Sequence, residues 1–324
     1  MVVAGGRQPG RSQLILAPAA VVPSPTPAQL LVSCRFPPPA TDVACAVSGG
    51  PDSLALLVLA VAAGCRVTAV HVDHGLRPGS EAEAAVVAGA AARFGADFRS
   101  VRVELAPGPN LEARARAARR EALPPGALTG HTADDQAETM LLNLLRGAGA
   151  DGLAAMDDEC HPLLRLRRRQ TAALCGEVGL DPVHDPSNLD PAHRRNRIRH
   201  EVLPLLEAVA GRDVVPVLVR QAALFGDEAA FLDELASTVD VTSARALETA
   251  PPALARRAVR RWLTEGCEHP PDLATVERVL AVARSQVKGT DVGGGRRVTR
   301  SSGRLHLHGP VRSTTDGFPT ASRA

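Results

Sequence analysis

The hydrophobic pattern changes period several times between residues 43 and 146. Val43 to Val47 is a short apolar run of strand length, and "SLALLVLAVAAG" after it is long enough for a buried helix closed by Gly64. "RVTAVHVDHG" (Arg66 to Gly75) returns to β-favouring residues. A helix is expected from about Ser80 to Phe94, a strand at "FRSVRVEL", a helix from about Asn110 to Ala122, a short strand at "GALTG" and a helix from about Ala133 to Arg146. This strict alternation predicts βαβ units: an α/β fold with a parallel sheet buried on both faces and right-handed crossovers. Ligands of such sheets bind beyond the carboxyl ends of the strands. Ser48, Asp73 and Gly130 each follow a predicted strand, so the three richest motifs share one edge. Toward the C-terminus, Ala255 to Gly266 and Leu273 to Ser285 have helical periodicity, and "DVGGGRRVTRSSGRLHLHG" reads as glycine-turned hairpin strands.

At 324 residues and 45% hydrophobic content, the chain can bury one good core and a smaller second one. A formal charge of +2 leaves nucleic-acid binding to local basic clusters. Arginine supplies nearly all the positive charge, Lys288 being the single lysine, and a GC-rich coding sequence accounts for part of that bias. The six cysteines include no CxxC pair, which argues against a zinc ribbon, a redox dithiol or an iron–sulfur site and favours reduced thiols in the cytoplasm. No apolar run approaches the roughly 20 residues of a membrane helix. Residues 1–40, with "PSPTP" and "FPPPA", read as a poorly ordered Pro-rich extension or a start codon placed too early.

The junction Ser48-Gly49-Gly50-Pro51-Asp52-Ser53 joins the first strand to the first long helix. A glycine-rich turn there exposes consecutive backbone N–H groups with the positive end of the helix dipole behind them, which makes an anion cradle. Gly49 and Gly50 allow the tight path, Ser48 and Ser53 offer hydroxyls, and Pro51 suits the first helical turn. Asp52 would be repelled by a polyphosphate unless a divalent cation bridged them, which suggests Mg²⁺. The spacing and lysine of GxxxxGK[ST] are absent, so the loop is not one that transfers a γ-phosphate. SGGxDS is similar to the loop of the N-type ATP pyrophosphatases, which split ATP between the α- and β-phosphates.

Three further stretches carry candidate chemistry. His71, Asp73 and His74 cluster at a strand end, either as a metal site or as hydrogen-bonded loop residues. In "TGHTADDQAETMLLNLLRGAG", Gly130-His131 lead into a helix that places Asp134, Asp135 and Glu138 on adjacent parts of one face. Like charges so arranged need a cation between them, supplied by a metal or an amine substrate; ordinary acidic decoration of a helix start is the alternative. "DPSNLDPAHRRNRIRHEVLPLLE" carries Arg195 and Arg199 on one helix face with Asn196 beside them. Guanidinium forks suit phosphates and bases, and this helix, with "RARAARR" (Arg114 to Arg120) and "RLRRR" (Arg165 to Arg169), is a candidate RNA contact or a solvated face.

Taken in order, SGGPDS, HVDHGLR, NLEARAR, GHTADDQAET with LLNLLRGAG, and DPSN with RNRIRHEVLP closely resemble the tRNA(Ile)-lysidine synthases over roughly Val43 to Leu206. The resemblance implies a Rossmann-like PP-loop ATP pyrophosphatase domain at 41–210 and a smaller, mainly helical tRNA-contacting domain at 211–324. It also implies that ATP adenylates C2 of the wobble cytidine in the CAU anticodon of tRNA(Ile), and that free lysine then displaces AMP to leave lysidine. Position by position, Ser48, Gly49, Gly50, Pro51, Asp52 and Ser53 would bind ATP with Mg²⁺ near Asp52. His131, Asp134, Asp135 and Glu138 would lie at the catalytic edge, and Asn188, Arg195, Asn196 and Arg199 would support the site and the anticodon. No membrane and no obligate protein partner are implied, and a homodimer is compatible with the pattern. The chain departs from the family at Thr132, where a second histidine is common, at Arg120, where an aromatic often stands, and at His161, where arginine is usual. Two other readings share features: a tRNA sulfurtransferase of the same superfamily, against which the lack of CxxC speaks, and a non-catalytic ATP-dependent RNA-binding module, which would not need both Asp52 and the carboxylate helix. A glutamine-fed synthetase is a weaker third, since no amidotransferase domain fits in the length.

Overall fold

The computed structural model describes residues 25–73, 80–103, 111–183, 190–265 and 270–309. In chain order the elements are α1 (Pro27–Leu31), β1 (Asp42–Ala46), α2 (Pro51–Ala62), β2 (Arg66–Asp73), α3 (Ser80–Phe94), β3 (Asp97–Arg102), α4 (Leu111–Ala122) and β4 (Leu128–Thr129). Then follow α5 (Ala133–Leu145), α6 (Ala150–Leu153), α7 (Arg168–Glu177), α8 (Arg194–Arg197), a π-helical turn (Ile198–Val202) and α9 (Leu203–Ala210). The remainder comprises α10 (Val215–Ser237), α11 (Ala244–Thr249), α12 (Pro252–Thr264), α13 (Leu273–Ala283), β5 (Gly289–Gly293), β6 (Arg296–Ser301) and β7 (Arg304–His308). By packing, the chain divides into two compact units, residues 1–132 with 158–185 and residues 133–157 with 186–324.

In the first unit the alternating pattern becomes a parallel four-stranded sheet of order β3-β2-β1-β4. The chain winds outward from β1 through β2 to β3, then returns to the other side of β1 as β4. That reversal makes the carboxyl ends of β1 and β4 the switch point where such sheets form a crevice. Helix α2 is apolar on every side, with Leu54, Leu56, Leu57 and Leu59 fully buried, so it lies inside the core rather than on it. Truncating one such leucine to alanine costs about 2–5 kcal/mol. This core also takes in Leu163, Leu166 and Leu174 from the segment around α7.

The part of the Pro-rich extension that is described, residues 25–40, is built into this unit. Thr26 and Gln29 cap α1 reciprocally, and Leu30, 3% exposed, joins the core. A buried leucine and a reciprocal cap thus order a stretch whose composition reads as loose; residues 1–24 lie outside the described residues.

In the second unit α5 packs with α8, the π turn, α9 and α10 around Ala137, Leu141, Ile198, Leu203 and Val215. A separate core formed by Leu247, Val259, Leu263, Val279, Leu280, Val298 and Leu305 joins α11, α12 and α13 to the antiparallel sheet β5-β6-β7. The β6–β7 hairpin turns at Ser302 and Gly303, both at positive φ (50° and 75°), the conformation that matches strand twist in a two-residue loop. Among the described residues no helix is long and apolar enough to cross a membrane.

Candidate active site

The loop after β1 is held by its own hydroxyls. Ser53 Oγ accepts from the Ser48 N–H (3.1 Å), lies 3.3 Å from Ser48 Oγ and donates to the Gly50 carbonyl (2.9 Å). Ser53 is thereby turned inward, 8% exposed, while Ser48 is exposed. Of the two serines expected to face an anion, Ser53 shapes the loop, and Ser48 is exposed with its hydroxyl within hydrogen-bond range of that of Ser53. Gly49 has φ +87°, and a Cβ there would meet the Val183 side chain at 3.1 Å; the Val183 N–H also donates to the Gly49 carbonyl (3.0 Å). Gly50 caps α2 with no side-chain oxygen on the first-turn N–H groups, and Pro51 takes the position where a missing N–H costs nothing.

Asp52, on the first turn of α2, is tied to α7. Arg168 Nε lies 3.3 Å from its Oδ2, and the Thr171 hydroxyl donates to its Oδ1. Thr171 is fully buried, and Cys175, one turn on, donates its thiol to the Pro51 carbonyl (3.3 Å). Burial, with Asp52 nearby, pushes the Cys175 thiol up to about 11. Arg168 belongs to the "RLRRR" cluster that reads as a candidate RNA contact; the fold uses it to hold the carboxylate of the loop. Arg168 and Thr171, three apart on one helix face, are the neighbours of Asp52 that sequence reasoning missed.

At the end of β4, Gly130 approaches α2 so closely that a Cβ would stand 2.6 Å from the Asp52 carbonyl oxygen and 2.9 Å from the Ser53 nitrogen. Only glycine lets the end of this strand lie against the loop. His131 follows, with Nδ1 2.6 Å from Thr129 Oγ1 and its ring tilted 57° against His161 at a centroid distance of 5.0 Å. The Thr129 N–H donates to the Cys160 carbonyl (2.9 Å) and the Arg35 N–H to that of Pro162 (3.1 Å), which pins the segment bearing His161. The family's departure at 161 therefore stands in contact with a predicted catalytic histidine.

On α5 the three predicted carboxylates differ in exposure. Glu138 is fully buried, Asp135 is 8% exposed and Asp134 is half-buried. Arg195 donates from Nε to Glu138 Oε2 (2.9 Å), and Arg199 donates from Nε to Oε1 (2.7 Å) and from its terminal nitrogen to Oε2 (3.1 Å). The same guanidinium groups lie 4.0 and 3.8 Å from Asp135 Oδ1. The cation that the acidic face requires is therefore supplied at Glu138 and Asp135 by the protein's own arginines. The π turn sits where Pro204, just ahead, withholds an amide from the helical ladder, and the Leu203 N–H reaches back five residues to Ile198 O. Asn196, 8% exposed, donates its amide to the Asp190 carbonyl (2.9 Å), fixing the start of the arginine helix. Asn188 and His74 lie outside the described residues.

Among the described residues no group of three or more His, Cys, Asp or Glu side chains is placed to hold a metal ion. Magnesium carried on nucleotide phosphates needs only one or two carboxylates from the protein, and Asp52 is a group of that kind at the loop.

Residues 28–206 match the PP-loop domain family, and residues 243–306 match the TilS substrate binding domain. The chain is 43% identical over 304 residues to the tRNA(Ile)-lysidine synthase of Nocardia farcinica, covering 86% of this chain and 95% of that one. It is 40% identical over 301 residues to the enzyme of the same name from Thermobifida fusca, covering 83% and 92%. Among solved structures, the U34-tRNA thiolase NcsA of Methanococcus maripaludis has a similar fold (TM-score 0.52, 16% identity, covering 62% of this chain and 77% of that one).

Proposed function

The chain belongs to the tRNA(Ile)-lysidine synthase family, and from that membership we propose how its own residues carry out the family's ATP-dependent formation of lysidine on tRNA(Ile). ATP binds at Ser48 to Ser53, where the N–H groups at the start of α2 and the exposed Ser48 meet its phosphates. Asp52 would hold a magnesium ion carried on the nucleotide, whose charge would offset that of the departing pyrophosphate. The C2 oxygen of the wobble cytidine in a CAU anticodon attacks the α-phosphorus, and pyrophosphate departs. An amine of free lysine then attacks C2, loses its proton, and AMP departs with the former C2 oxygen.

Asp134 is the carboxylate we assign to the lysine amine, since it keeps solvent access while Asp135 and Glu138 serve Arg195 and Arg199. It orients the ammonium and accepts a proton from it. His131, set by Thr129, is assigned to the charge that develops at the α-phosphate. Residues 41–210 carry the chemistry and residues 211–324 contact the tRNA; Asn188 and Asn196 support the anticodon side.

The observation that carries this reading is the loop itself. Its hydroxyl network, its glycine at positive φ and its partly buried Asp52–Arg168–Thr171 brace fix the turn at the start of α2. The test combines purified protein, magnesium and ATP, isotope-labelled lysine and a tRNA(Ile) transcript with a CAU anticodon, followed by nuclease digestion and mass spectrometry. A labelled lysine adduct on cytidine is expected. Pyrophosphate release without that adduct would refute the assignment of lysine while leaving the adenylation step in place.

A further inference from the structure

His71 is a titratable side chain that the mechanism above does not use, and it is 2% exposed. It lies on β2, paired in parallel with β1 in a register that ends at Ala46 and Val70. One further backbone rung follows, from the Val47 N–H to the Val70 carbonyl (2.9 Å). There the chain leaves the sheet to form the loop at Ser48, and the Val47 carbonyl is met by a side chain, His71 Nδ1, at 3.0 Å. A carbonyl can only accept, so Nδ1 must carry the hydrogen. The imidazole thus extends the ladder by one rung at the residue where the loop departs. Val47 is clamped on both its polar groups, and Ser48, its neighbour, begins the hydroxyl network that ends at Gly50.

We propose that His71 is a positioning residue for ATP cleavage: by donating Nδ1–H to the Val47 carbonyl it fixes the point from which Ser48 to Ser53 leave the sheet, and so the placement of the loop against the nucleotide phosphates. This rests on the reading of that loop as the ATP site. The ring touches no reacting atom; it acts through the Val47 peptide, and a shift there is passed on to the Ser48 N–H and hydroxyl. A donor at the Nδ1 position is what matters, not the ring's charge, because both the neutral Nδ1–H tautomer and the imidazolium keep that hydrogen.

The side chains available separate this from a packing role. Asparagine can place its amide nitrogen close to where Nδ1 stands; glutamine reaches one bond further, to the position of Nε2; leucine fills space and donates nothing. All three lose the packing of the ring. KM for ATP and for tRNA, kcat and the melting temperature are measured for His71→Asn, His71→Gln and His71→Leu in the full chain, alongside Ser48→Glu. The last puts a carboxylate at an exposed loop position and is expected to remove ATP binding while the fold stays intact. His71→Leu should raise KM for ATP about tenfold, the cost of an unmade hydrogen bond to a buried acceptor, with KM for tRNA unchanged. His71→Asn should stay within about threefold of the parent in KM for ATP, although it too melts below the parent because the packing of the ring is lost. If the leucine variant does not fold, the asparagine–glutamine pair carries the same contrast. Equal KM values for ATP in the asparagine variant and in the variants without the donor would overturn the proposal, as would a change seen only in melting temperature. Should Ser48→Glu bind ATP like the parent, the loop reading itself fails; if that variant loses ATP while His71→Leu does not, only the role of His71 falls.

Discussion

Replacing Glu138 by glutamine keeps the shape of the side chain and removes its charge. In the parent, a fully buried carboxylate accepts three charge-assisted hydrogen bonds from Arg195 and Arg199, at 2.9, 2.7 and 3.1 Å. The glutamine amide has one accepting oxygen, and its NH₂ would face a guanidinium N–H, donor against donor. Breaking a buried pair from one side costs about 3–5 kcal/mol, because the partner charge is left uncompensated. Two features moderate that cost here. Asp135 Oδ1, at 3.8 and 4.0 Å, retains part of the counter-charge, and the two arginine side chains keep 27% and 21% of their exposure. The lower end, about 3 kcal/mol, is therefore expected. For a unit of this size it corresponds to a fall in Tm of about 6–12 °C. Calorimetry of E138Q measures this directly, and steady-state kinetics at a temperature where both proteins are folded give KM for lysine. The expected result is a large loss of stability with KM for lysine little changed. A variant that melts with the parent while its KM for lysine rises tenfold would show that Glu138 binds the amine and that the arginines do not depend on it.

Two further expectations follow from other parts of the first unit. In Gly130→Ala the new Cβ meets backbone atoms of Asp52 and Ser53 at 2.6–2.9 Å, so the start of α2 must move. Stability should fall by about 1–3 kcal/mol, and ATP–pyrophosphate exchange should weaken more than tRNA binding; exchange at the parent's rate would mean that the strand end does not brace the loop. The buried thiols make the protein sensitive to alkali: desolvation pushes Cys34 and Cys45 up to about 12 and Cys175 to about 11. Since these folded-state values exceed the unfolded thiol pKa of about 8.5, the unfolded chain releases protons first, and the stabilisation present below about pH 8.5 is lost as pH rises toward 11–12. With a single lysine and no tyrosine, little else titrates in that window. Melting temperatures recorded from pH 8 to 11 should fall, and Cys45→Ala should flatten the slope; a flat parent profile would refute the assignment.

The parallel sheet was legible because its cause is local. Val43 to Val47, Arg66 to Asp73 and the apolar α2 each carry their period and their end signals within a dozen residues. The loop was legible for the same reason, since two glycines, a proline and two serines act within one turn. What stayed hidden were the partners. Asp52 meets Arg168 and Thr171 more than a hundred residues away, and Glu138 meets Arg195 and Arg199 across about sixty. Nothing in the spacing of "RLRRR" or "RRNRIRH" distinguishes an arginine that faces a buried carboxylate from one that faces solvent. Only the chain path decides it. Residues 25–40 show the reverse case, where a reciprocal cap and one buried leucine outweigh a composition that suggests disorder.

The charge expected from a metal or an amine on the acidic face of α5 illustrates how such hidden partners alter function. Three carboxylates within five residues were one chemical object in the sequence. The fold separates them by environment: Glu138 is buried and held by two guanidinium groups, Asp135 is nearly buried with a guanidinium 3.8 Å away, and Asp134 is half-exposed. A carboxylate locked by three charge-assisted hydrogen bonds is poorly suited to exchange an ammonium ion at every turnover, because each exchange would leave two guanidinium groups uncompensated. A half-exposed one can exchange its partner at small cost. Asp134 is therefore where a change of one atom, Asp134→Asn, should act on lysine use while lowering the melting temperature less than E138Q does, since a half-exposed charge contributes less to stability than a buried pair.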